Sequence, residues 1–237
     1  MLNNFPAIFT KSDFWLPQVD HVFYFILYLS TCLPAPLHQN YKKKKKEIKA
    51  RLNDFTTVHC GEYFYELAFC LLTPQSSQAN AEKVIEELKA KGFREKPFNP
   101  TPHLRNPKHY IRFHNVKSAR LLELRKIFPQ IYPHLLNRRE DPRKLRALLL
   151  KNVNGLGWKE ASHFLRNIGF RDLAILDRHI LKHLQGLRVI GEIPKSLPPR
   201  KYLDIEESFF NYATKINVPM DELDLLFWSE ATGEIKK

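Results

Sequence analysis

From Glu62 onward the apolar positions recur at intervals of three and four, and no useful length of chain alternates with period two, which predicts an all-α protein. The spacing predicts helices over 62–72, 77–90, 116–128, 142–152, 159–167, 177–184, 200–216 and 221–228. Punctuation agrees with these bounds: Pro142 opens a helix, Gly169 follows one, and Pro219 separates the last two. Stripes such as Ala81, Val84 and Leu88, or Leu145, Leu148, Leu149 and Val153, read as core-facing sides. The stretch 97–107 carries Pro97, Pro100, Pro102 and Pro107, so it reads as an irregular loop between lobes.

A chain of 237 residues is long enough for one sizeable core, or for two helical lobes with a cleft between them. Residues 41–237 read as that body and 1–40 as an extension of uncertain order. Within the extension the apolar run from Val22 to Leu33 is about a dozen residues, short of the roughly 20 that span a bilayer. Lys11 is offset by Asp13 and Asp20, so the basic start of a secretory signal is missing. Five consecutive lysines, Lys42 to Lys46, lead into helix-forming sequence and suit either a solvated helix start or an arm contacting phosphate.

Charge narrows the class. Lys and Arg number 38 against 25 Asp and Glu, a formal net charge of +13 with a pI near 9.6. A surface of that sign attracts a polyanion, although ribosomal or membrane-surface proteins share the property. Cys32, Cys60 and Cys70 are an odd number without paired spacing, which argues against a disulfide framework or a zinc ribbon and fits the cell interior. No metal and no organic cofactor is expected.

The segment from Val153 to Ser162 is the most informative. Gly155 and Gly157 flank Leu156 between two apolar helices, a pattern for a tight hairpin, about 152–160, with outward-facing amides and a leucine plug. Such amides at a helix start bind a phosphate without side-chain charge. Lys159 then falls in the first helical turn, where the positive end of the helix dipole disfavours an ammonium and favours a nucleophilic amine. Asp177 ends an apolar approach and caps the next predicted helix. The separation of 18 residues allows one helix and a short return between the two, enough to set both helix starts in one cleft.

Gly155-Leu156-Gly157-Trp158-Lys159-Glu160-Ala161, with Asp177-Arg178-His179-Ile180, resembles the helix-hairpin-helix and aspartate signature of the endonuclease III superfamily of DNA glycosylases. Lys159 to Asn167 is most similar to the type 2, archaeal-style 8-oxoguanine DNA glycosylase/AP lyases, over roughly Leu52 to Lys237. The missing four-cysteine motif separates the chain from endonuclease III itself. The resemblance implies a bifunctional base-excision repair enzyme that acts on double-stranded DNA containing 8-oxoguanine. Lys159 would be its nucleophile, Asp177 the carboxylate partner, and Gly155 and Gly157 the phosphate contacts. It implies further that Gln75, in Leu71-Leu72-Thr73-Pro74-Gln75, wedges into the gap left by the extruded base. Phe113 and Trp228 would sandwich that base, and the terminal Lys237 would help recognise it. A monomer in the cytoplasm, associated with the nucleoid, is expected. His163 and His179 are either near the site or structural. Three readings compete: a non-catalytic helix-hairpin-helix module, a glycosylase for another lesion, and an RNA-binding helical protein.

Overall fold

The computed structural model describes residues 32–235, and every described regular element is helical. In chain order the α-helices are α1 (Ala35–Thr56), α2 (Tyr63–Leu72), α3 (Gln78–Ala90), α4 (Thr101–Leu104), α5 (His114–Leu136), α6 (Pro142–Asn152), α7 (Trp158–Asn167), α8 (Arg178–Gly186), α9 (Pro199–Lys215) and α10 (Met220–Thr232). None of these helices is long and apolar enough to cross a membrane. The apolar run expected from Val22 lies almost wholly outside the described residues.

Two hydrophobic cores divide the chain. The central lobe is one continuous segment, with Phe64, Phe69, Leu88, Phe128, Leu149, Phe164 and Leu173 in its core. The terminal lobe joins both ends of the described chain, packing Tyr41, Ile48 and Phe55 of α1 against Ala174, Ile180, Phe209 and Phe227. The chain therefore crosses from one core to the other between Leu173 and Ala174. On α1, Tyr41, Ile48, Leu52 and Phe55 recur on one face, which buries that face and leaves most of the lysine run to solvent. The helix starts at Ala35, so the division drawn between residues 40 and 41 falls inside it.

Two expectations are corrected. Helix α5 runs eight residues past 128 although Pro129 and Pro133 lie within it. An interior proline costs about 3 kcal/mol. Full burial of one Ile, Leu or Phe side chain contributes about 1.5–3 kcal/mol, and Phe128, Ile131 and Leu135 are all buried beside the prolines. Packing thus offsets what local sequence disfavours. The proline-rich stretch 97–107 holds α4 and the start of a 3-10 turn (Pro107–His109), with Pro102 in the first turn where its missing N–H is harmless. It does not connect the lobes: Phe93 and Ile111, on either side of it, are both buried in the central core.

A buried ion pair ties the lobes together. Arg146 of α6 donates to both carboxylate oxygens of Glu206 on α9, each at 2.6 Å, and to the Ser162 hydroxyl of α7 at 3.0 Å. Glu206 also accepts from the amide of Ala174, the first residue of the terminal core after the crossing. The guanidinium lies 4.8 Å from the centre of the Trp158 ring, so the first residue of α7 is braced from beneath.

Candidate active site

The hairpin forms between α6 and α7 as its glycines require. Gly155 has φ +78, a left-handed conformation that favours glycine, and Leu156 is buried between the helices. Gly157 is the N-cap of α7 with an extended backbone. A Cβ at Gly155 would overlap the Arg120 guanidinium of α5, and Asn154 donates to Glu123 of α5 at 3.0 Å. The hairpin is thus fastened to α5 from the side.

Helix α7 carries Lys159, His163 and Arg166 at intervals of four and three, which stacks all three on one face. Helix α8 opens at Asp177, whose Oδ1 accepts from the amides of His179 at 2.7 Å and Ile180 at 2.9 Å. Both cap bonds fall on Oδ1, so Oδ2 carries no hydrogen bond to the described residues. Helix α10 adds Asp224 and Trp228, four apart on one face.

These elements meet around one pocket of about 260 Å³, lined by Lys159, Asp177, Arg166, Asp224, His163 and Trp228, with Thr73, Ser76 and Gln78 on another wall. The pocket lies across the lobe boundary: α7 belongs to the central core through Phe164 and Leu165, and α8 and α10 to the terminal core. The amine and the carboxylate predicted to act together therefore face the same cavity. At its floor Arg166 donates to Asp224 Oδ2, while Asp224 Oδ1 is buried without a hydrogen bond to the described residues. Burial pushes the Asp224 carboxyl well above the usual carboxylate range, even though Arg166 beside it pulls the other way. The Trp228 ring packs edge to face with His179 at 5.3 Å, which fixes its orientation.

The other predicted residues are placed differently. Gln75 is exposed, with φ +56, in the turn between α2 and α3, and its neighbours Thr73 and Ser76 line the pocket although Gln75 itself does not. Phe113 is 49% exposed, with φ +60, and stands outside the pocket lining as the N-cap of α5. It is joined to the wall indirectly, because the amide of Arg112 donates to Ser76 Oγ at 3.0 Å. Lys237 lies outside the described residues. His163 and His179 both border the site, the first as lining and the second against Trp228. Sequence reading missed Arg166 and Asp224. The signal was present, since each shares a helical face with a residue already singled out: Arg166 seven residues beyond Lys159, Asp224 four before Trp228.

A family model described as 8-oxoguanine DNA glycosylase matches residues 48–218. A protein of Fusobacterium nucleatum named 8-oxoguanine DNA glycosylase/AP lyase is 40% identical over 207 residues, covering 83% of this chain and 94% of the relative. The protein of that name from Methanocaldococcus jannaschii is 38% identical over 177 residues, 74% of this chain and 83% of the relative. The crystal structure of the M. jannaschii 8-oxoguanine DNA glycosylase superposes with a TM-score of 0.74 at 31% identity, covering 92% of this chain and all of that one. A structure of the same organism's glycosylase/lyase with a 15mer DNA containing 8-oxoguanine gives the same TM-score and covers 86% of this chain.

Proposed function

The chain belongs to the 8-oxoguanine DNA glycosylase family, and from that premise we infer that it is a bifunctional DNA glycosylase/AP lyase that excises 8-oxoguanine from duplex DNA, with Lys159 and Asp177 as its catalytic pair. The observation that carries the assignment of the pair is their convergence, from different lobes, on one pocket beside Trp228. A base stacked in a duplex does not present C1′ to a side chain, so the nucleotide is first turned out at an unstacking cost of a few kcal/mol. Phosphate contacts at the amides of Gly155 and Gly157, and a net charge of +13, supply the binding that offsets this cost.

The base enters the pocket against Trp228. In this reading Phe113, exposed one residue from Arg112, is the second aromatic face for the extruded base, and Gln75 fills the vacated position in the stack. As the glycosidic bond breaks, the base leaves with the bonding pair and positive charge develops on the sugar, where the ionised Asp177 carboxylate stabilises it. The free amine of Lys159 adds to C1′ and gives up a proton, the ring C1′–O4′ bond opens, and an imine results. The imine acidifies C2′; loss of a C2′ proton expels the 3′ phosphate and cuts the strand. Lys237 belongs to the same reading as a contact to the damaged base, and action on DNA places the protein with the nucleoid.

Borohydride reduction of the imine tests the assignment directly. The wild-type protein is expected to form a covalent complex with 8-oxoguanine duplex and Lys159→Gln none; trapping that survives in Lys159→Gln would remove the lysine from its role. Deleting Lys237 is expected to weaken discrimination of 8-oxoguanine from guanine while trapping on an abasic site persists, and equal losses on both substrates would count against that contact.

A further inference from the structure

A lysine that the chemistry above does not use is buried beneath the wedge turn. Lys117, in the first turn of α5, is only 2% exposed, and its ammonium donates to the carbonyls of Leu72 at 2.7 Å and Pro74 at 2.6 Å and to Ser76 Oγ at 3.1 Å. An ammonium has three donors, and all three are spent on one short stretch, 72–76. Leu72 is the last residue of α2, where unpaired carbonyls and the negative end of the helix dipole favour a cation. Burying that cation is unfavourable in itself: loss of hydration, with Arg120 nearby, brings the Lys117 amine down to about 8.

The stretch it holds is strained. Gln75 sits at φ +56, and Phe113, four residues before Lys117, sits at φ +60, both in a region that non-glycine residues rarely occupy. Such conformations persist when the surroundings over-determine them. Here the surroundings are Lys117, which grips the carbonyls on either side of Thr73, and Ser76 Oγ, which joins the 72–76 turn to the Arg112 amide. The same helix fastens the hairpin through Arg120 against Gly155 and Glu123 to Asn154. Lys117 and Arg120 are three residues apart, about 4.5 Å along a helix axis. One rigid segment therefore spaces the phosphate-binding hairpin from the turn that presents Gln75.

We propose that Lys117 is a positioning residue for base extrusion: by locking the 72–76 turn to the helix that anchors the hairpin, it holds the Gln75 side chain at a set distance from the bound phosphate. The proposal rests on the reading of Gln75 as the wedge and of Lys159 as the nucleophile. It distinguishes substrates. A duplex with 8-oxoguanine must be opened before the chemistry, whereas an abasic site in single-stranded DNA presents C1′ with no base to extrude.

The experiment compares single-turnover cleavage of 8-oxoguanine duplex with borohydride trapping on a single-stranded abasic oligonucleotide, for wild type, Lys117→Met, Lys117→Arg, Ser76→Ala, Gln75→Ala and the Lys117→Met/Gln75→Ala double variant. Lys117→Met is expected to lose at least tenfold more on the duplex than on the abasic strand, with the loss in the rate constant rather than in the DNA concentration at half saturation. Fluorescence of 2-aminopurine placed opposite or beside the lesion, which reports unstacking, should lose amplitude in the same variant. Gln75→Ala should show the same selectivity, and the double variant should be no worse than the more affected single one. Lys117→Arg should recover part of the duplex rate, and Ser76→Ala, which removes one of the three acceptors without emptying a buried site, should lose in the same direction by a smaller factor. Equal losses on both substrates, or additive losses in the double variant, would overturn the proposal while leaving the reading of Lys159 intact. Failure of wild type to trap on either substrate would overturn that reading, and the proposal with it.

Discussion

At Asp177, Oδ1 caps α8, and the mechanism proposed above gives the charge of the group a second job at the sugar. The jobs separate by substitution. Asn caps as well as Asp, so Asp177→Asn is expected to unfold within about 0.5 kcal/mol of wild type yet lose roughly 100-fold or more in single-turnover excision. Asp177→Ala is expected to lose the activity and in addition about 1 kcal/mol of stability, read from urea unfolding. Lys117 gives a pH signature at the same scale. Its amine titrates near 8 in the fold, against 10.5 in the unfolded chain, because burial and Arg120 oppose the charge. Between those values the unfolded chain holds a proton that the folded chain has released, so the penalty present below pH 8 is relieved as the pH rises. Relative to Lys117→Met, wild type is expected to gain melting temperature between pH 7.5 and 10; a constant difference across that range would count against a buried, titrating amine.

Among the elements, the return loop between α7 and α8 carries the tightest backbone contact at a glycine. Gly169 has φ +91, and a Cβ there would meet the Thr56 Cα at 2.8 Å and the Phe55 carbonyl at 3.0 Å, both backbone atoms of or next to the end of α1. Gly233, just beyond α10, has φ +82 but opens onto empty space. Conformational strain alone should cost about 1 kcal/mol for Gly233→Ala. Gly169→Ala is expected to add about 1–3 kcal/mol of overpacking to that, and a urea series in which the two variants unfold alike would refute the close approach. The hairpin, the capped α8 and the stripe on α3 were all legible in the sequence, because caps, glycines and apolar periodicity act within a few residues. The second half of α5 was not. Pro129 and Pro133 argue locally for a stop, and only burial of Ile131 and Leu135 against the central core reverses that preference.

For the molecule as a whole, the pocket is built from two lobes in one relation, and Arg146 with Glu206 holds that relation at the boundary. Removing one partner leaves a buried charge uncompensated, which typically costs about 3–5 kcal/mol. Arg146→Met and Glu206→Leu are each expected to destabilise on that order, and the Arg146→Met/Glu206→Leu double variant to recover part of the loss, as followed by denaturant unfolding. Singles and double that fall on one additive line would mean that the pair is not coupled. The same variants are expected to slow excision at temperatures where they remain folded, because Trp158, next to Lys159, rests on the Arg146 guanidinium.

What the sequence determined by itself was whatever short-range chemistry decides: helical periodicity, the Gly155-Leu156-Gly157 turn, the cap at Asp177, the placing of Lys159 in a first turn, and a charge suited to a polyanion. The tertiary structure alone decided that the chain splits into a central lobe and a terminal lobe that joins both ends of the described residues, and that Lys159 and Asp177 share a pocket across that split. It also decided that Arg166 pairs with Asp224, 58 residues away, and that a lysine on α5 holds the turn of Gln75. These contacts link positions far apart along the chain. No local pattern encodes them, because the free energy that selects them is the burial of two whole cores rather than the preference of any one segment.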